Sequence, residues 1–134
     1  MKRSTVVAII NTNPDIVRML RTAIEQAGFL VVVTYVEDIK TGQVDLQAFL
    51  RDNDPRVIVY DVAPPYEQNW MFLEHVKATP GFEGRHFVIT SVNVKKVDEL
   101  VGPDETVYEV VGLESDIREI VRAVKEATRA RPTR

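Results

Sequence analysis

The sequence predicts an α/β domain of the (βα)5 kind, a three-layer sandwich with a five-stranded parallel sheet between two layers of helices. Five runs rich in apolar and β-branched residues predict the strands, at residues 5–10, 29–35, 57–60, 86–90 and 106–111. Segments with helical spacing of apolar residues separate these runs. Alternation of this kind is typical of a parallel sheet covered on both faces. The 134 residues are enough for one such domain.

The first strand and helix form the clearest unit. After the run TVVAII, Asn13 suits the N-cap of a helix, Pro14 its first position and Asp15 the positive end of its dipole. Apolar residues then recur at helical spacing up to Gly28, a residue type that suits the left-handed conformation after a helix. The chain therefore begins with a strand, a helix and a stop signal.

The later connections repeat this pattern with weaker signals. A short helix is predicted near residues 44–50, another near residues 70–76, and a weaker one over residues 94–100. The last helix is expected to follow Ser115 as its N-cap, with apolar residues of the segment 117–127 on one face.

The connectivity points to one edge of the sheet as the site. Right-handed crossovers leave few topologies, and the common order for five units is the flavodoxin-like 2-1-3-4-5. Its switch point lies between the first and third strands, where ligands bind beyond the strands' carboxyl ends. The third strand ends at Asp61 and the first at Asn11. We therefore expect Asp61 to be a site residue, although a carboxylate that only caps a turn is the alternative.

Composition excludes several classes of function. The chain has no cysteine, which excludes disulfides, thiolate catalysis and thiolate metal sites. Its net charge of -3 gives no electrostatic footprint for nucleic acid, and its one basic cluster is a tail at residues 129–134, after a domain at 1–128. No segment approaches the ~20 apolar residues of a membrane span. We expect a cytoplasmic protein that binds neither nucleic acid nor membrane.

Residues 5–128 resemble a response-regulator receiver domain, the phosphoacceptor module of two-component signalling. The shared landmarks are, in order, the first strand leading into NPDIVRMLRTAIEQAGFLVV, the strand PRVIVYD, Pro65 four positions after its aspartate, the strand HFVITS, and the amphipathic helix after VYEVVGLESD. Each landmark is weak alone, but together they occur in the right order and at the right intervals.

The resemblance assigns roles to individual residues. Asp61 matches the aspartate that accepts a phosphoryl group from a histidine kinase, and Thr90 matches the hydroxyl residue that turns toward that group. Tyr108 lies close to the family's aromatic switch residue. Asn69 stands where the family usually has a glycine, and Asn tolerates a positive φ. The bland alternative is that Thr90 and Ser91 only satisfy backbone groups at a strand end.

Two departures from the family remove charge from the site. The acidic pair after the first strand is replaced by Asn11 and Thr12, and the Lys-Pro step after the fifth strand by Val111 and Gly112. Mg²⁺ prefers carboxylates, so Asp61 would be its sole charged ligand, with Asn11 offering a neutral oxygen. A valine side chain cannot pair with a phosphoryl oxygen. Both losses should slow phosphoryl transfer sharply.

The sequence therefore favours an atypical single-domain receiver that is not an enzyme and acts mainly by protein–protein interaction, with weak or absent Mg²⁺-dependent phosphorylation. The alternative is a working phosphoacceptor modified on Asp61. In the family, the contact face would comprise residues 94–100, 106–111 and 115–127, and homodimers through it are common. The expected partner is a histidine kinase or a downstream signalling protein. A nucleotide-binding function is disfavoured because no glycine-rich phosphate loop follows the first strand. An aspartyl-phosphate hydrolase is disfavoured because the segment after Asp61 lacks the second acid that such enzymes use.

Overall fold

Five parallel strands form the centre of the computed structural model, which describes residues 4–114 and 116–130. They are β1 (Val6–Asn11), β2 (Leu30–Tyr35), β3 (Val57–Asp61), β4 (His86–Ser91) and β5 (Val107–Gly112). Their order is β2-β1-β3-β4-β5, and all neighbouring strands are parallel. The predicted α/β fold and strand order are confirmed.

Six helices lie between or after the strands within these described residues. They are α1 (Pro14–Gln26), α2 (Val36–Lys40), α3 (Leu46–Asn53), α4 (Tyr66–Lys77), α5 (Val94–Val101) and α6 (Ile117–Arg129). The sequence predicted only one helix between the second and third strands. It missed α2 because a five-residue helix is too short to show helical periodicity.

None of the helices that the structure describes has the length and apolar character needed to cross a bilayer.

Apolar residues fill both faces of the sheet. One layer lies between the sheet and helices α1 and α6, and the other lies between the sheet and helices α2 to α5. Every residue of β4 is buried, and four of the five residues of β3 are buried. These strands therefore read as continuous apolar runs, because neither face meets water.

The cap residues of α1 behave as predicted. The Asn13 side chain accepts hydrogen bonds from the backbone amides of Asp15 and Ile16, and Pro14 occupies the first helical position. Gly28 follows the helix with a φ of 101°, a conformation that side chains disfavour. Local sequence alone determines both ends of this helix.

The start of α6 is capped by Asp116, whose side chain accepts a hydrogen bond from the amide of Arg118. Ser115, the predicted N-cap, lies outside the described residues. Arg129, the first residue of the predicted basic tail, is the last residue of α6. The rest of that tail from residue 131 onward lies outside the described residues as well, so the tail stays a prediction.

Arg56 anchors the other end of α6 to the sheet. Its Nε donates to the carbonyl of Thr128 and its Nη2 to the carbonyl of Ala130, each at 2.8 Å. The last carbonyls of a helix lack partners within the helix and carry its negative dipole end, so a guanidinium satisfies both needs. Arg56 therefore fixes the position of α6 against the amino end of β3.

We predict that Arg56→Met lowers the free energy of unfolding by about 1–3 kcal/mol, because two charge-assisted hydrogen bonds are lost from a half-buried site. Urea denaturation measures the change. Arg51→Met is the matched control, because Arg51 is exposed and pairs only with the adjacent, exposed Asp52 among the described residues. It should change stability by less than about 0.5 kcal/mol. Equal losses in the two variants would contradict the anchoring role.

Candidate functional site

The carboxyl edge of the sheet aligns four residues in one row across neighbouring strands. Asp61 on β3 pairs in register with Thr90 on β4, which in turn pairs with Val111 on β5. Asn11 ends β1 one residue after the pair formed by Ile10 and Tyr60, so it continues the row. Residues in register on a parallel sheet project from the same face. The structure therefore brings together the positions that the sequence singled out.

A short hydrogen bond joins the two candidate site residues. Thr90 Oγ1 donates to Asp61 Oδ1 at 2.7 Å, and the Thr90 side chain is fully buried. Ser91 behaves differently, since its hydroxyl donates to the backbone carbonyl of Val62 at 2.8 Å. The backbone-satisfying alternative therefore describes Ser91, whereas the Thr90 hydroxyl is directed at the carboxylate.

The electrostatic environment of Asp61 disfavours its charged form. Burial raises the pKa of its carboxyl group above the usual value, and the hydrogen bond from Thr90 offsets part of that increase. Burial together with the charge of Asp61 also raises the pKa of Tyr60. No cationic side chain among the described residues contributes to the pKa shift of Asp61. Within the described part of the chain, the Asp61 carboxylate therefore has no cationic partner to stabilise its charge.

Asn11 supports the backbone of its own turn. Its Oδ1 accepts hydrogen bonds from the amides of Thr12, at 2.7 Å, and Asn13, at 3.0 Å. The residue is 3% exposed. An Asn side chain that binds the amides after it forms an Asx turn. The oxygen that the sequence offered as a metal ligand is thus already engaged in shaping the loop between β1 and α1.

These residues fit Mg²⁺ poorly. Receiver folds imply this ion, which prefers octahedral oxygen ligands that include one or two carboxylates. The row supplies one carboxylate, Asp61, and the Asn11 oxygen already accepts two hydrogen bonds. Across residues 4–114 and 116–130, no group of three or more His, Cys, Asp or Glu side chains is placed to hold a metal ion. The predicted weak metal role of Asp61 and Asn11 stays a prediction.

The loop after Asp61 is tied to the helix that follows it. Asn69 lies in the first turns of α4, and its Nδ2 donates to the carbonyl of Ala63 at 2.7 Å. The expected turn role of Asn69 is wrong, since Asn69 lies inside α4 and Asp54 is the one non-glycine residue with positive φ among the described residues. The side chain of Asn69 acts through its amide instead, holding the loop that leaves the site.

An ion pair joins the first turns of α4 and α5, next to the loops that leave β3 and β4. Lys96 Nζ lies 2.6 Å from Glu67 Oε1. This contact raises the pKa of Lys96 and lowers the pKa of Glu67. Nothing local in the sequence signals this contact, because Glu67 and Lys96 lie on different helices. Its ammonium group is engaged with Glu67 rather than with Asp61.

The expected contact face on α5, β5 and α6 is rich in internal ion pairs. Arg122 Nη2 lies 2.6 Å from the Glu109 carboxylate, and the same guanidinium binds Glu119 and Glu126 at 3.0 Å. Tyr108 is 37% exposed, and its hydroxyl donates to Glu126 at 3.1 Å. Tyr108 therefore lies on this outer network and outside the row that contains Asp61.

We predict that Asp61→Asn stabilises the protein at neutral pH. A raised pKa of Asp61 in the folded state means that its carboxyl group binds a proton more tightly there than in the unfolded chain. The stability that comes from this proton is therefore fully present below the usual pKa of 3.8, and it is lost as the pH rises through the folded pKa. Asn keeps an acceptor for Thr90 but carries no charge. The free energy of unfolding of the variant should therefore exceed that of the wild type at pH 7, and the difference should vanish as the pH falls toward 3.8.

Chemical denaturation across this pH range measures the effect. Asp45→Asn serves as the control, because Asp45 is an exposed helix cap that accepts from the Ala48 amide. A difference for Asp61→Asn that stays constant with pH would contradict the raised pKa.

Solved structures share this architecture, although no protein-family model and no curated protein matches the sequence. A response regulator from Thermotoga maritima superimposes with a TM-score of 0.70 and 15% identity, covering 96% of this chain and 100% of that one. A putative response regulator from Chloroflexus aurantiacus superimposes with a TM-score of 0.69 and 15% identity, covering 96% of this chain and 100% of that one. A CheY-like receiver domain protein from Methanospirillum hungatei has a TM-score of 0.71 and 11% identity, and the match covers 95% of each chain. Along nearly its whole length, therefore, this chain has the fold of response-regulator receiver domains.

Proposed function

We propose that the protein is a receiver-type signalling domain that acts mainly by binding other proteins, with weak or absent Mg²⁺-dependent phosphorylation of Asp61. It is not an enzyme in this proposal. The observation that carries it is the row at the carboxyl edge of the sheet. One carboxylate stands there in register with an amide, a hydroxyl and an aliphatic side chain, at Asn11, Thr90 and Val111.

Charge is the first reason for proposing weak phosphorylation. Phosphoryl transfer depends on cations that neutralise the oxygens of the transferred group. At Asp61, burial raises the pKa of the carboxyl group, and the Thr90 hydrogen bond is the one favourable contact that opposes this shift. A carboxylate in this environment attracts a dication less than a cluster of carboxylates would.

The position of Val111 is the second reason. Val111 is 5% exposed and packs in the apolar layer beneath α1 and α6. The receiver lysine that its position matches would bind a phosphoryl oxygen through a charge-assisted hydrogen bond, which is stronger than a neutral one. An aliphatic side chain leaves that oxygen without a cationic partner on β5.

The alternative function, a working phosphoacceptor, is favoured by one observation. The hydroxyl of Thr90 already lies within hydrogen-bond distance of Asp61, at 2.7 Å. A phosphoryl group on Asp61 could take over that donor with little rearrangement. In this alternative the partner is a histidine kinase that supplies the phosphoryl group.

The solved structures that share this fold are named response regulators, which supports a signalling role. The partner in our proposal is a histidine kinase or a downstream signalling protein that recognises the domain's surface. A homodimer stays an alternative.

We predict that acetyl phosphate and Mg²⁺ leave the mass of the intact protein unchanged. The site offers one carboxylate to the dication and, among the described residues, no cationic side chain to the phosphoryl oxygens. Intact-mass spectrometry measures the result, and Asp61→Asn is the control. A phosphoryl adduct on the wild type that is missing from Asp61→Asn would contradict the proposal and favour the phosphoacceptor alternative.

We also predict that millimolar Mg²⁺ leaves the melting temperature unchanged. Restoring carboxylates with Asn11→Asp and Thr12→Asp should create a response, since Asp at position 11 can still accept the amide hydrogen bonds of its turn. Ligand present at ten times its Kd adds about 1.4 kcal/mol of stability. For a domain of this size that corresponds to a shift of about 4–6 °C.

Differential scanning fluorimetry, with Ca²⁺ and K⁺ as comparison ions, measures both proteins. A large upward shift for the wild type would contradict weak Mg²⁺ binding. The variant with Asn11→Asp and Thr12→Asp shows in the same experiment whether added carboxylates are enough to produce a Mg²⁺-dependent shift in melting temperature.

A further inference from the structure

A groove runs between α1 and α6 on the outer surface of the domain. Two cavities form it, with volumes of about 570 Å³ and 450 Å³, and they adjoin because Ala23, Gln26 and Ile117 line both. The groove extends from the first turn of α1, at Asp15, to the end of α6, at Arg129. It is therefore about as long as the helices themselves, roughly 20 Å for 13 residues.

The floor of the groove is apolar. Met19 is 44% exposed, and Ala23, Ile117 and Val121 are partly exposed beside it. The core-facing residues of the two helices are different ones, Leu20, Ile24, Ile120 and Val124 among them, and these are completely buried. Met19 and Val121 are thus apolar side chains that the domain's own core does not use.

The walls of the groove carry an excess of positive charge. Five basic side chains line it, against the acidic Asp15 and Glu126, and they are Arg18, Arg118, Arg122, Lys125 and Arg129. This excess is local, because the whole chain has a net charge of -3.

Three of these basic residues, Arg18, Lys125 and Arg129, form no ion pair with a residue that the structure describes. Arg118 pairs with Asp116, and Arg122 pairs with three glutamates. An acidic partner would therefore meet unmatched cations on both sides of the apolar floor.

The contrast with the expected contact face is informative. On that face the charges of β5 and α6 neutralise one another around Arg122, and the exposed tyrosine is held by Glu126. A partner would have to break these internal ion pairs to bind there. The α1–α6 groove shares Arg122 and Glu126 with that network, but it adds an apolar floor and the unpaired cations Arg18 and Lys125.

We propose that the α1–α6 groove binds an amphipathic helix of a partner protein, with its apolar stripe on Met19, Ile117 and Val121 and with acidic residues facing Arg18 and Lys125. Helix-in-groove recognition uses apolar anchors at helical spacing, and complementary charge at the rim fixes orientation. The proposal rests on the interaction role proposed above and specifies the surface and the chemistry of its partner.

The location of the groove connects it to the site. Helices α1 and α6 cover the apolar layer that contains Val111, which belongs to the same row as Asp61. Their first turns follow the carboxyl ends of β1 and β5. A helix bound in the groove would therefore lie along the side of the sheet from which the Asp61 row projects.

A matched pair of synthetic helical peptides tests the proposal. Both are about 14 residues long and carry leucines at i, i+3, i+4 and i+7, but one has glutamates and the other lysines flanking the leucine stripe. Fluorescence anisotropy measures affinity, and amide chemical-shift changes map the binding surface. The glutamate peptide should bind and perturb α1 and α6, whereas the lysine peptide should bind at least about tenfold more weakly.

Variants of the full chain locate the contact. Met19→Asp should weaken binding of the glutamate peptide about tenfold, because it places a charge on the apolar floor. Met71→Asp is the matched control, since Met71 is 69% exposed on α4, away from the groove. Lys125→Glu should weaken the same peptide several-fold, whereas Lys95→Glu on the exposed surface of α5 should not.

Several results would overturn the proposal. Equal binding of both peptides, or shifts confined to α5 and β5, would exclude an acidic helix in this groove. A concentration-dependent dimer in sedimentation that Met19→Asp abolishes would assign the groove to a second copy of the chain. Binding to vesicles of phosphatidylcholine and phosphatidylserine, without binding to the glutamate peptide, would assign it to a lipid surface. The peptide measurements contain no acetyl phosphate, so they do not depend on whether Asp61 is phosphorylated. Phosphorylation of Asp61 would therefore contradict the proposed function while leaving the binding results intact.

Discussion

The register of the parallel sheet is the constraint on which the site depends. Backbone hydrogen bonds fix which residue of each strand faces its neighbour, so Asp61 lies opposite Thr90 and Thr90 opposite Val111. A slip of one residue would turn every side chain of a strand to the opposite face. Burial of β3 and β4 on both sides makes such a slip costly, because polar groups would enter the core. The geometry of the site is therefore a by-product of core packing.

The fold is shared with solved response regulators, whereas the side chains around Asp61 are particular to this chain. The hydroxyl of Thr90 donates a hydrogen bond to the carboxylate of Asp61. The other residues of the row are an amide engaged in a turn, at Asn11, and a buried aliphatic side chain, at Val111. A scaffold depends on apolar packing, whereas the chemistry of a site depends on a few polar side chains, so the fold alone does not fix the chemistry.

Helix α6 links the core, the site and the surface. Arg56 binds the last turn of α6, and the buried residues of α6 pack in the apolar layer that includes Val111. Arg122 of α6 pairs with Glu109 of β5, and Arg122 also lines the groove that α6 forms with α1. The charges around Arg122 neutralise one another, whereas the rest of the groove combines an apolar floor with the unpaired cations Arg18 and Lys125. This part of the groove is the better surface for a partner that brings acidic groups.

Local signals in the sequence predict the five strands, their order and five of the six described helices, whereas the five-residue α2 is too short to show periodicity. Caps such as Asn13, apolar runs and turn residues act over a few positions, and the right-handed crossover rule then places Asp61 at the switch point. Asn11 and Val111 can be placed beside Asp61 in the same way, because both lie at the carboxyl ends of predicted strands. Tertiary structure decided what each polar side chain contacts: Thr90 with Asp61, Asn69 with Ala63, Lys96 with Glu67, and the groove between the first and last helices. Those contacts join residues from different elements, and no periodicity along the chain encodes the distance between two side chains that meet only after folding.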